Sequence, residues 1–160
     1  MNANMNMNVN VENNESVEAC KKCGGRCCKR NPGICHPRDF EDNWGNMVKA
    51  IECGKYTIDS WDDDWGDNDI YYIRPMVKGR EYEMPHYSHG GECIFLADNG
   101  NGCELKFEDR PLGCRMLTVG TKVENKYKCV SLFDNYEYAE QWISYQDKLK
   151  EYIKKYEHRR

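Results

Sequence analysis

A short cysteine-rich segment near the N-terminus constrains this sequence more than any other feature. It places four of the chain's 10 cysteines in one stretch, Cys20-Lys-Lys-Cys23-Gly-Gly-Arg-Cys27-Cys28. A Cys-x2-Cys pair lets two thiolates reach one metal ion, while backbone N–H groups of the intervening turn point at the sulfurs. Gly24 and Gly25 permit a tight turn, because glycine takes positive φ without steric cost. The segment therefore predicts a metal-binding loop.

Four cysteines farther along the chain can complete such a site. The segment 93–107 contains Asn-Gly pairs and predicts a short hairpin that aims Cys93 and Cys103 at one point. Cys114 follows on a proline-stiffened turn, and residues 119–130 predict one more strand pair, which carries Cys129. The predicted metal ligands are Cys20, Cys23, Cys27, Cys28, Cys93, Cys103, Cys114 and Cys129.

The composition indicates that the chain needs such a site in order to fold. Leu, Ile, Val and Phe make up about 16% of the sequence, below the ~20% at which disorder becomes a concern. The net charge is only −4, however, and 11 tyrosines and 4 tryptophans supply large packing surfaces. A small aromatic core crosslinked by metal reconciles these observations, since a structural zinc ion contributes on the order of 10 kcal/mol to folding.

We predict a single α+β domain over residues 19–160, a small metal-stabilised cysteine-rich domain of short hairpins and two helices. Residues 1–18 are asparagine-rich and are predicted to form a disordered tail. Apolar residues three and four apart predict one helix from Pro37 to Cys53, with Gly54 just past its end. A capping box at Asp134 predicts the start of a long C-terminal helix. The apolar face of that helix comprises Tyr138, Trp142, Tyr145, Leu149, Tyr152, Ile153 and Tyr156.

Two β-rich runs, 56–58 and 70–73, flank a loop with six aspartates. The loop does not match a calcium-binding EF-hand, because Gly66 at the sixth position would make Trp61 the first ligand. A solvated loop is predicted instead.

Two histidines precede Cys93 in the pattern His-x2-His-x3-Cys. Imidazole is a competent zinc ligand, so His86 or His89 could complete a metal site. A surface loop of Tyr, Ser, His and Gly is the interpretation that we favour.

The sequence also predicts a compartment and limits the partners. Residues 1–11 have neither a basic region nor an apolar run, so no signal peptide is expected, and no stretch is apolar enough to span a membrane. A reducing, cytoplasmic location favours thiolates on metal over a disulfide scaffold. The near-neutral charge balance argues against nucleic-acid binding. The basic residues around the first cysteines are interpreted as charge balance for thiolates.

The order of the cysteine motifs adds a resemblance. Cys-x2-Cys is followed by Cys-Cys, then by Cys-x2-Leu, Cys-x-Leu and Arg-Pro-x2-Cys-Arg, and this order resembles the YkgJ-like cysteine-cluster family, described as a zinc- or iron-chelating domain. Three residues, rather than the family's usual two, precede the Cys-Cys pair here, and Cys35 and Cys53 lie outside the pattern. The matching positions are Cys20, Cys23, Cys27, Cys28, Cys93, Leu96, Cys103, Leu105, Arg110, Pro111, Cys114 and Arg115.

The sequence is compatible with two kinds of metal site and with two functions. Eight cysteines would fill two tetrahedral zinc sites, whereas a [4Fe–4S] cluster takes four thiolates. Adjacent Cys27 and Cys28 are awkward ligands for one zinc ion, but thiolates bind both metals well. The resemblance to the YkgJ-like family implies an iron–sulfur cluster or polynuclear site ahead of Zn2+. The leading function is a structural or interaction module whose aromatic surfaces contact a protein partner. The alternative is an Fe–S-dependent oxidoreductase or an enzyme that modifies a protein side chain. The lack of a nucleotide-binding loop or nucleophile motif favours the module.

Overall fold

The computed structural model of the protein describes the backbone of residues 18, 20–61, 69–87, 89–123, 126–131 and 135–159. Side chains are described in the same ranges except at 118–123, 126–131, 135 and 136. The predicted tail, apart from residue 18, lies outside these residues. So do the centre of the acidic loop and Asp134 of the predicted capping box.

The described elements are a mixture of short helices and antiparallel strands. This mixture confirms the predicted combination of helices and hairpins. In chain order they are α1 (Arg26–Arg30), a 3-10 helix (Pro37–Phe40), α2 (Trp44–Glu52), β1 (Tyr56–Trp61), β2 (Ile70–Pro75), a 3-10 helix (Phe107–Asp109), α3 (Leu112–Arg115), β3 (Leu117–Val123), β4 (Lys126–Ser131), α4 (Asn135–Glu140), a 3-10 helix (Ile143–Tyr145) and α5 (Gln146–His158).

The predicted helix from Pro37 to Cys53 is interrupted after its first turn. Glu41 and Asp42 have φ of 58° and 51°, which a continuous α-helix does not allow. Asn43 then begins α2 as its N-cap, since its side-chain oxygen accepts a hydrogen bond from the Asn46 N–H at 3.1 Å. The apolar periodicity crosses the break because both short helices bury their apolar side chains in the same core. Gly54, with φ of 77°, follows the end of α2 as predicted.

Two of the predicted strand pairs are present as hairpins, and the third is present only as a single bridge between two residues. β1 and β2 pair antiparallel, from Tyr56 opposite Pro75 to Trp61 opposite Ile70. β3 and β4 also pair antiparallel, with an irregular register between Val119 and Lys122. The predicted hairpin of residues 93–107 is present only as a bridge between Leu96 and Cys103. It does not extend because the N–H groups of residues 93 and 94 donate to other segments of the chain.

The predicted C-terminal helix is divided into α4, a 3-10 turn and α5. The chain bends where Trp142 is inserted fully into the core, and the Trp142 Nε1–H donates to the carbonyl oxygen of Cys35 at 2.9 Å. The face chosen from the sequence is nevertheless the packed one, since Tyr138, Leu149 and Ile153 are all buried.

An apolar core lies between α2, the β1–β2 hairpin and the C-terminal helices. Met47, Ile58, Ile73, Trp142 and Leu149 have no exposed surface at all. The core is therefore more complete than the low content of aliphatic residues suggests, because tyrosine, tryptophan and methionine contribute much of it. Its buried residues are Ile34, Cys35, Phe40, Met47, Ile51, Ile58, Tyr72, Ile73, Met116, Tyr138, Trp142, Leu149 and Ile153.

Candidate metal centre

The first cysteine segment folds as two helical turns joined by glycines. Residues 20–23 are helical, Gly24 and Gly25 have φ of 70° and 68°, and α1 follows directly. The Gly25 N–H donates to the carbonyl oxygen of Cys20 at 3.2 Å, and the Gly25 carbonyl accepts from the Lys29 N–H at 3.0 Å. The tight turn predicted for the two glycines is therefore confirmed.

A second segment packs against this loop through its backbone. The Cys93 N–H donates to the carbonyl oxygen of Cys28 at 2.6 Å. Glycines allow the close approach, because a Cβ added to Gly25 would lie 2.7 Å from the Leu96 side chain. A Cβ added to Gly102 would lie 3.4 Å from the Cys20 backbone. The thiols of Cys93 and Cys103 are thus carried to the segment that bears Cys20 and Cys28.

A third segment completes the assembly around Cys114. The Gly113 N–H donates to the carbonyl oxygen of Ile34 at 3.0 Å. The Cys114 sulfur occupies the space beside Gly33, where an added Cβ would lie only 2.3 Å from that sulfur. Glycine is therefore needed at position 33 because a larger side chain would clash with the Cys114 sulfur. The backbone conformation there does not itself require glycine.

These three segments enclose a cavity of about 260 Å³ whose lining includes six cysteines. Trp61, Tyr72, Phe107 and Tyr138 are also in the lining and supply an aromatic wall. Of the other predicted ligands, Cys93 is buried outside the lining, and the thiol of Cys129 lies outside the described side chains. The cysteines in the lining are Cys20, Cys23, Cys27, Cys28, Cys103 and Cys114.

Burial raises the pKa of several cysteines in and beside the cavity lining. It is the main cause that raises the pKa of Cys28 to about 12 and the pKa of Cys93 to about 11. Neighbouring thiolates add to the effect on Cys28, through the charges of Cys93 and Cys103. Burial raises the pKa of Cys114 well above its ordinary value as well. These thiols are therefore protonated at neutral pH unless a cation binds to them.

Arg110 is the one charged residue in the described lining of the cavity. Its side chain is almost fully buried, and its Nη1 group lies 3.7 Å from the Cys20 sulfur. The Nε–H donates to the carbonyl oxygen of Leu105 at 3.2 Å, which fixes the guanidinium. Burial raises the pKa of Cys20, and the Arg110 charge and hydrogen bond lower it in part. Arg110 therefore favours a thiolate at Cys20.

Arg115 holds the turn that carries Cys114. Its Nη2 group donates to Asp39 Oδ1 at 2.6 Å, and its Nε–H donates to the Arg110 carbonyl at 2.9 Å. Asp39 Oδ2 also accepts the backbone N–H groups of His36 and Leu112, each at 2.8 Å. This carboxylate thus joins the Pro37–Phe40 turn to α3, a role that the sequence analysis missed.

The prediction of a surface loop is wrong for His86. His86 is completely buried, where its Nδ1 lies 3.3 Å from Arg74 Nη2 and its Nε2 lies 3.2 Å from the Arg80 carbonyl oxygen. Arg74 in turn donates from Nε to Asp59 Oδ2 at 2.6 Å, and both of these residues are buried. His89 is exposed, as predicted. Neither histidine is part of the cavity lining.

The two cysteines outside the sequence pattern differ in their surroundings. Cys53 is exposed, and its thiol donates to the Ala50 carbonyl at 3.0 Å. Cys35 is fully buried. Its burial is the main cause that raises the pKa of its thiol well above the ordinary value, and the charges of Asp39 and Cys114 raise that pKa further. Cys35 is thus an electrostatic neighbour of the cysteine-lined cavity, which its position in the sequence did not indicate.

A preformed metal geometry is not found in the part of the chain that the structure describes. There, no three His, Cys, Asp or Glu side chains converge closely enough to hold a metal ion. Metal binding at the cavity would therefore require the thiols to rotate about χ1 toward one another. The donor set itself, several thiols with one guanidinium beside them, suits zinc or an iron–sulfur cluster.

Fold and site together define a small protein of mixed helices and strands with a cysteine-lined cavity beside its apolar core. Comparison with protein-family models, curated proteins and solved structures gave no match. Among the described helices, none combines the length and the apolar character that crossing a membrane requires.

Proposed function

We propose that this protein is a metal-binding cysteine-cluster module of the YkgJ-like type, with a structural or interaction role. One observation carries the proposal, namely that cysteines from three separate segments line a single cavity. Buried cysteines can act simply as small apolar side chains. That role does not account for a buried arginine placed against the sulfur of Cys20.

The number of cysteines favours a cluster or a pair of ions over a single ion. Six cysteines are in the cavity lining, whereas a single zinc ion takes four ligands. We therefore place a [4Fe–4S] cluster or another polynuclear site ahead of a single Zn2+.

The chain's own residues supply three functions at this site. The cysteines provide the thiolates, Arg110 stabilises charge at Cys20, and the Asp39–Arg115 ion pair orients the turn that bears Cys114. A bound iron–sulfur cluster would supply one-electron chemistry, whereas zinc would supply charge and crosslinking alone.

The interaction role is supported by exposed apolar side chains. Tyr82 is 80% exposed, and Tyr87 and Ile143 are 56% and 54% exposed. Large aromatic side chains with this exposure are common where proteins contact one another. We therefore propose a protein partner, in the cytoplasm.

Metal analysis of protein purified without oxygen tests the proposal. A brown protein with iron and acid-labile sulfide supports an iron–sulfur cluster, and a colourless protein with stoichiometric zinc supports the zinc form. Cys114→Ser should lower the metal content, while Cys53→Ser, which changes an exposed thiol, should leave it unchanged. A wild-type protein with neither metal, before and after reconstitution, would refute the function.

A second candidate is an Fe–S-dependent oxidoreductase or a protein side-chain modifying enzyme. The aromatic wall favours it, because Trp61, Tyr72 and Tyr138 extend the cavity beyond the thiols and offer a surface for a bound molecule. The two candidates differ in redox turnover. Repeated reduction and reoxidation by a small electron acceptor would support an enzyme, whereas a metal that keeps one oxidation state would support the structural module.

A further inference from the structure

We infer that the cysteine-lined cavity binds a small molecule with one aromatic ring and one carboxylate, the carboxylate on Arg110 and the ring against the aromatic wall. That wall comprises Trp61, Tyr72, Phe107 and Tyr138. The inference goes beyond the proposed metal-binding function and does not require a bound metal.

Arg110 is a buried cation that forms no ion pair with a carboxylate of the described residues. It is only 6% exposed. Its Nε–H donates to the Leu105 carbonyl oxygen, and its Nη1 group reaches the Cys20 sulfur only at 3.7 Å. A guanidinium has several N–H donors and sulfur is a weak acceptor, so much of this donor capacity is unused. Because a buried charge is costly unless it is paired, an anion on Arg110 would be stabilised.

The unused donors of Arg110 are accessible from the cavity. Arg110 belongs to the lining, and its Nη2 group makes no hydrogen bond with the described part of the chain. Among the described side chains, the polar atom that is both fully enclosed and unpaired is Arg74 Nη1. The Nη2 group of Arg110 is therefore not sealed off by the protein, and a carboxylate in the cavity can form charge-assisted hydrogen bonds with it.

An aromatic surface begins directly beside this cation. The Arg110 guanidinium carbon lies 6.0 Å from the centroid of the Phe107 ring. The Tyr72 hydroxyl donates to Asp59 Oδ2 at 3.2 Å, so the ring of Tyr72 is the part that remains for the cavity. Aromatic rings pack favourably against one another in offset and edge-to-face arrangements. A ring is therefore the apolar body that fits this wall.

The charges around the cavity favour an anion over a cation. The described lining includes no Asp or Glu side chain that would repel a carboxylate. The cavity reaches the surface beside α1, because Cys27 and Asn31 are both exposed and in the lining. Arg26, Lys29 and Arg30 on α1 are also exposed, and such cations raise the local concentration of anionic ligands.

The volume of the cavity limits the size of the ligand. At about 260 Å³ it is slightly smaller than most ligand pockets, which measure about 300–1,000 Å³. A molecule with a single ring and a short acidic side chain is therefore the size that we expect.

Isothermal titration calorimetry with benzoate, phenylacetate and 3-phenylpropionate tests the inference. At least one of these acids should bind with a Kd below about 1 mM. Its neutral amide, which keeps the ring, and propionate, which lacks the ring, should each bind at least about tenfold more weakly. Failure of all three acids to bind in this range would overturn the inference, and so would equal binding of the amide or of propionate.

Arg110→Met removes the cation and should abolish the preference for the acid over its amide. Arg80→Met is the matched control, because Arg80 pairs with Glu83 outside the described lining, and it should keep the preference. A purely structural role of Arg110 would weaken the binding of acid and amide equally, and that result would overturn the inference.

Trp61→Phe provides a second measurement on a variant that keeps the cation. Binding of the acid should change the tryptophan fluorescence of the wild type, and Trp61→Phe should lose most of that change, because Trp61 is the tryptophan in the described lining. An unchanged response in Trp61→Phe would place the ligand elsewhere and overturn the inference.

The metal content of the same samples separates this inference from the proposed function. Protein that binds the acid but no metal, even after reconstitution, would refute the proposed function and support the inference. Protein that carries metal but binds none of the three acids would overturn the inference alone.

Discussion

At the scale of single residues, burial opposes the ionisation of several cysteine thiols in and beside the cavity. Burial raises the pKa of Cys28 to about 12 and that of Cys93 to about 11, so both thiols carry a proton near neutral pH. A thiolate bonded to a metal has lost that proton. Metal binding at these residues, as proposed here, would therefore release protons.

Metal binding is consequently expected to strengthen steeply with pH. Each protonated thiol that becomes a ligand releases one proton, so a four-thiolate site should release about four protons per metal ion near pH 7. Affinity should be lost as the pH falls and gained as it rises toward the thiol pKa values. Titration of chelator-treated protein with zinc in a weakly buffered solution with a pH indicator measures the release. Less than one proton per zinc would contradict the thiolate assignment.

The buried charges away from the cavity lead to a second residue-scale prediction. Arg74 and Asp59 are 1% and 2% exposed and form an ion pair of 2.6 Å, to which the Tyr72 hydroxyl donates at 3.2 Å. Asp59→Asn leaves the Arg74 charge buried without its counterion, which should lower the free energy of unfolding by about 3–5 kcal/mol. Urea denaturation followed by tryptophan fluorescence measures the change.

A partly exposed ion pair between an arginine and a carboxylate is the control. Arg80 and Glu83 lie 2.7 Å apart, but their side chains are 35% and 45% exposed. Glu83→Gln should leave the urea midpoint nearly unchanged, because solvent screens such pairs. Similar losses in Glu83→Gln and Asp59→Asn would show that burial is not the cause.

At the scale of elements, glycines determine how closely the three cysteine segments approach. Gly33→Ala should displace Cys114, because the new Cβ would lie 2.3 Å from the Cys114 sulfur. We expect a clear loss of bound metal and a lower melting temperature, both measured on protein purified without oxygen. The backbone at Gly33 would tolerate alanine, so the effect is one of space.

Gly54→Ala is the matched control for this substitution. Gly54 has φ of 77° and no atom within 4 Å of an added Cβ, so alanine there strains the backbone without a clash. It should cost about 1 kcal/mol of stability and leave the metal content unchanged. Equal metal loss in the two variants would mean that general destabilisation, and not the position of Cys114, controls metal binding.

Local features of the elements could be predicted from the sequence, and features that depend on distant partners could not. The turn at Gly24–Gly25, the face of α5 and the β1–β2 hairpin follow from glycine, apolar period and β propensity. The break at Glu41 was missed because the apolar period continues across it. The burial of His86 was not predicted, because it depends on a contact with Arg74. Arg74 lies on β2, and the sequence of the loop around His86 does not indicate that contact.

The same distinction applies to the candidate site. The spacing of the cysteines identified residues that line one cavity, because close pairs of thiols have a recognisable pattern. Cys35 and Asp39 were missed as its neighbours because they approach it only through tertiary contacts, such as the Asp39–Arg115 ion pair. The aromatic contribution to the core was, by contrast, predicted from the 11 tyrosines and 4 tryptophans of the sequence.

At the scale of the whole molecule, the cysteine-lined cavity and the apolar core are neighbouring parts with different sources of stability. Ile58, Ile73 and Leu149 are fully buried in the core, and none of the cysteines that line the cavity is among the buried core residues. Segments 20–34 and 93–115 contribute few residues to that core. The two parts are joined through Ile34, Tyr72 and Tyr138, which belong to the core and also line the cavity.

Removal of metal should therefore loosen one part of the molecule and preserve the other. After chelation, amide hydrogen exchange should accelerate at least about tenfold in residues 20–34 and 93–115, because their mutual contacts would lose the metal crosslinks. Exchange in β1, β2 and α5 should remain slow, because buried apolar side chains stabilise them without metal. Cys53→Ser, treated identically, should behave as the wild type does. Equally fast exchange in α5 would mean that the metal sustains the whole fold, and unchanged exchange in both cysteine segments would mean that it sustains neither.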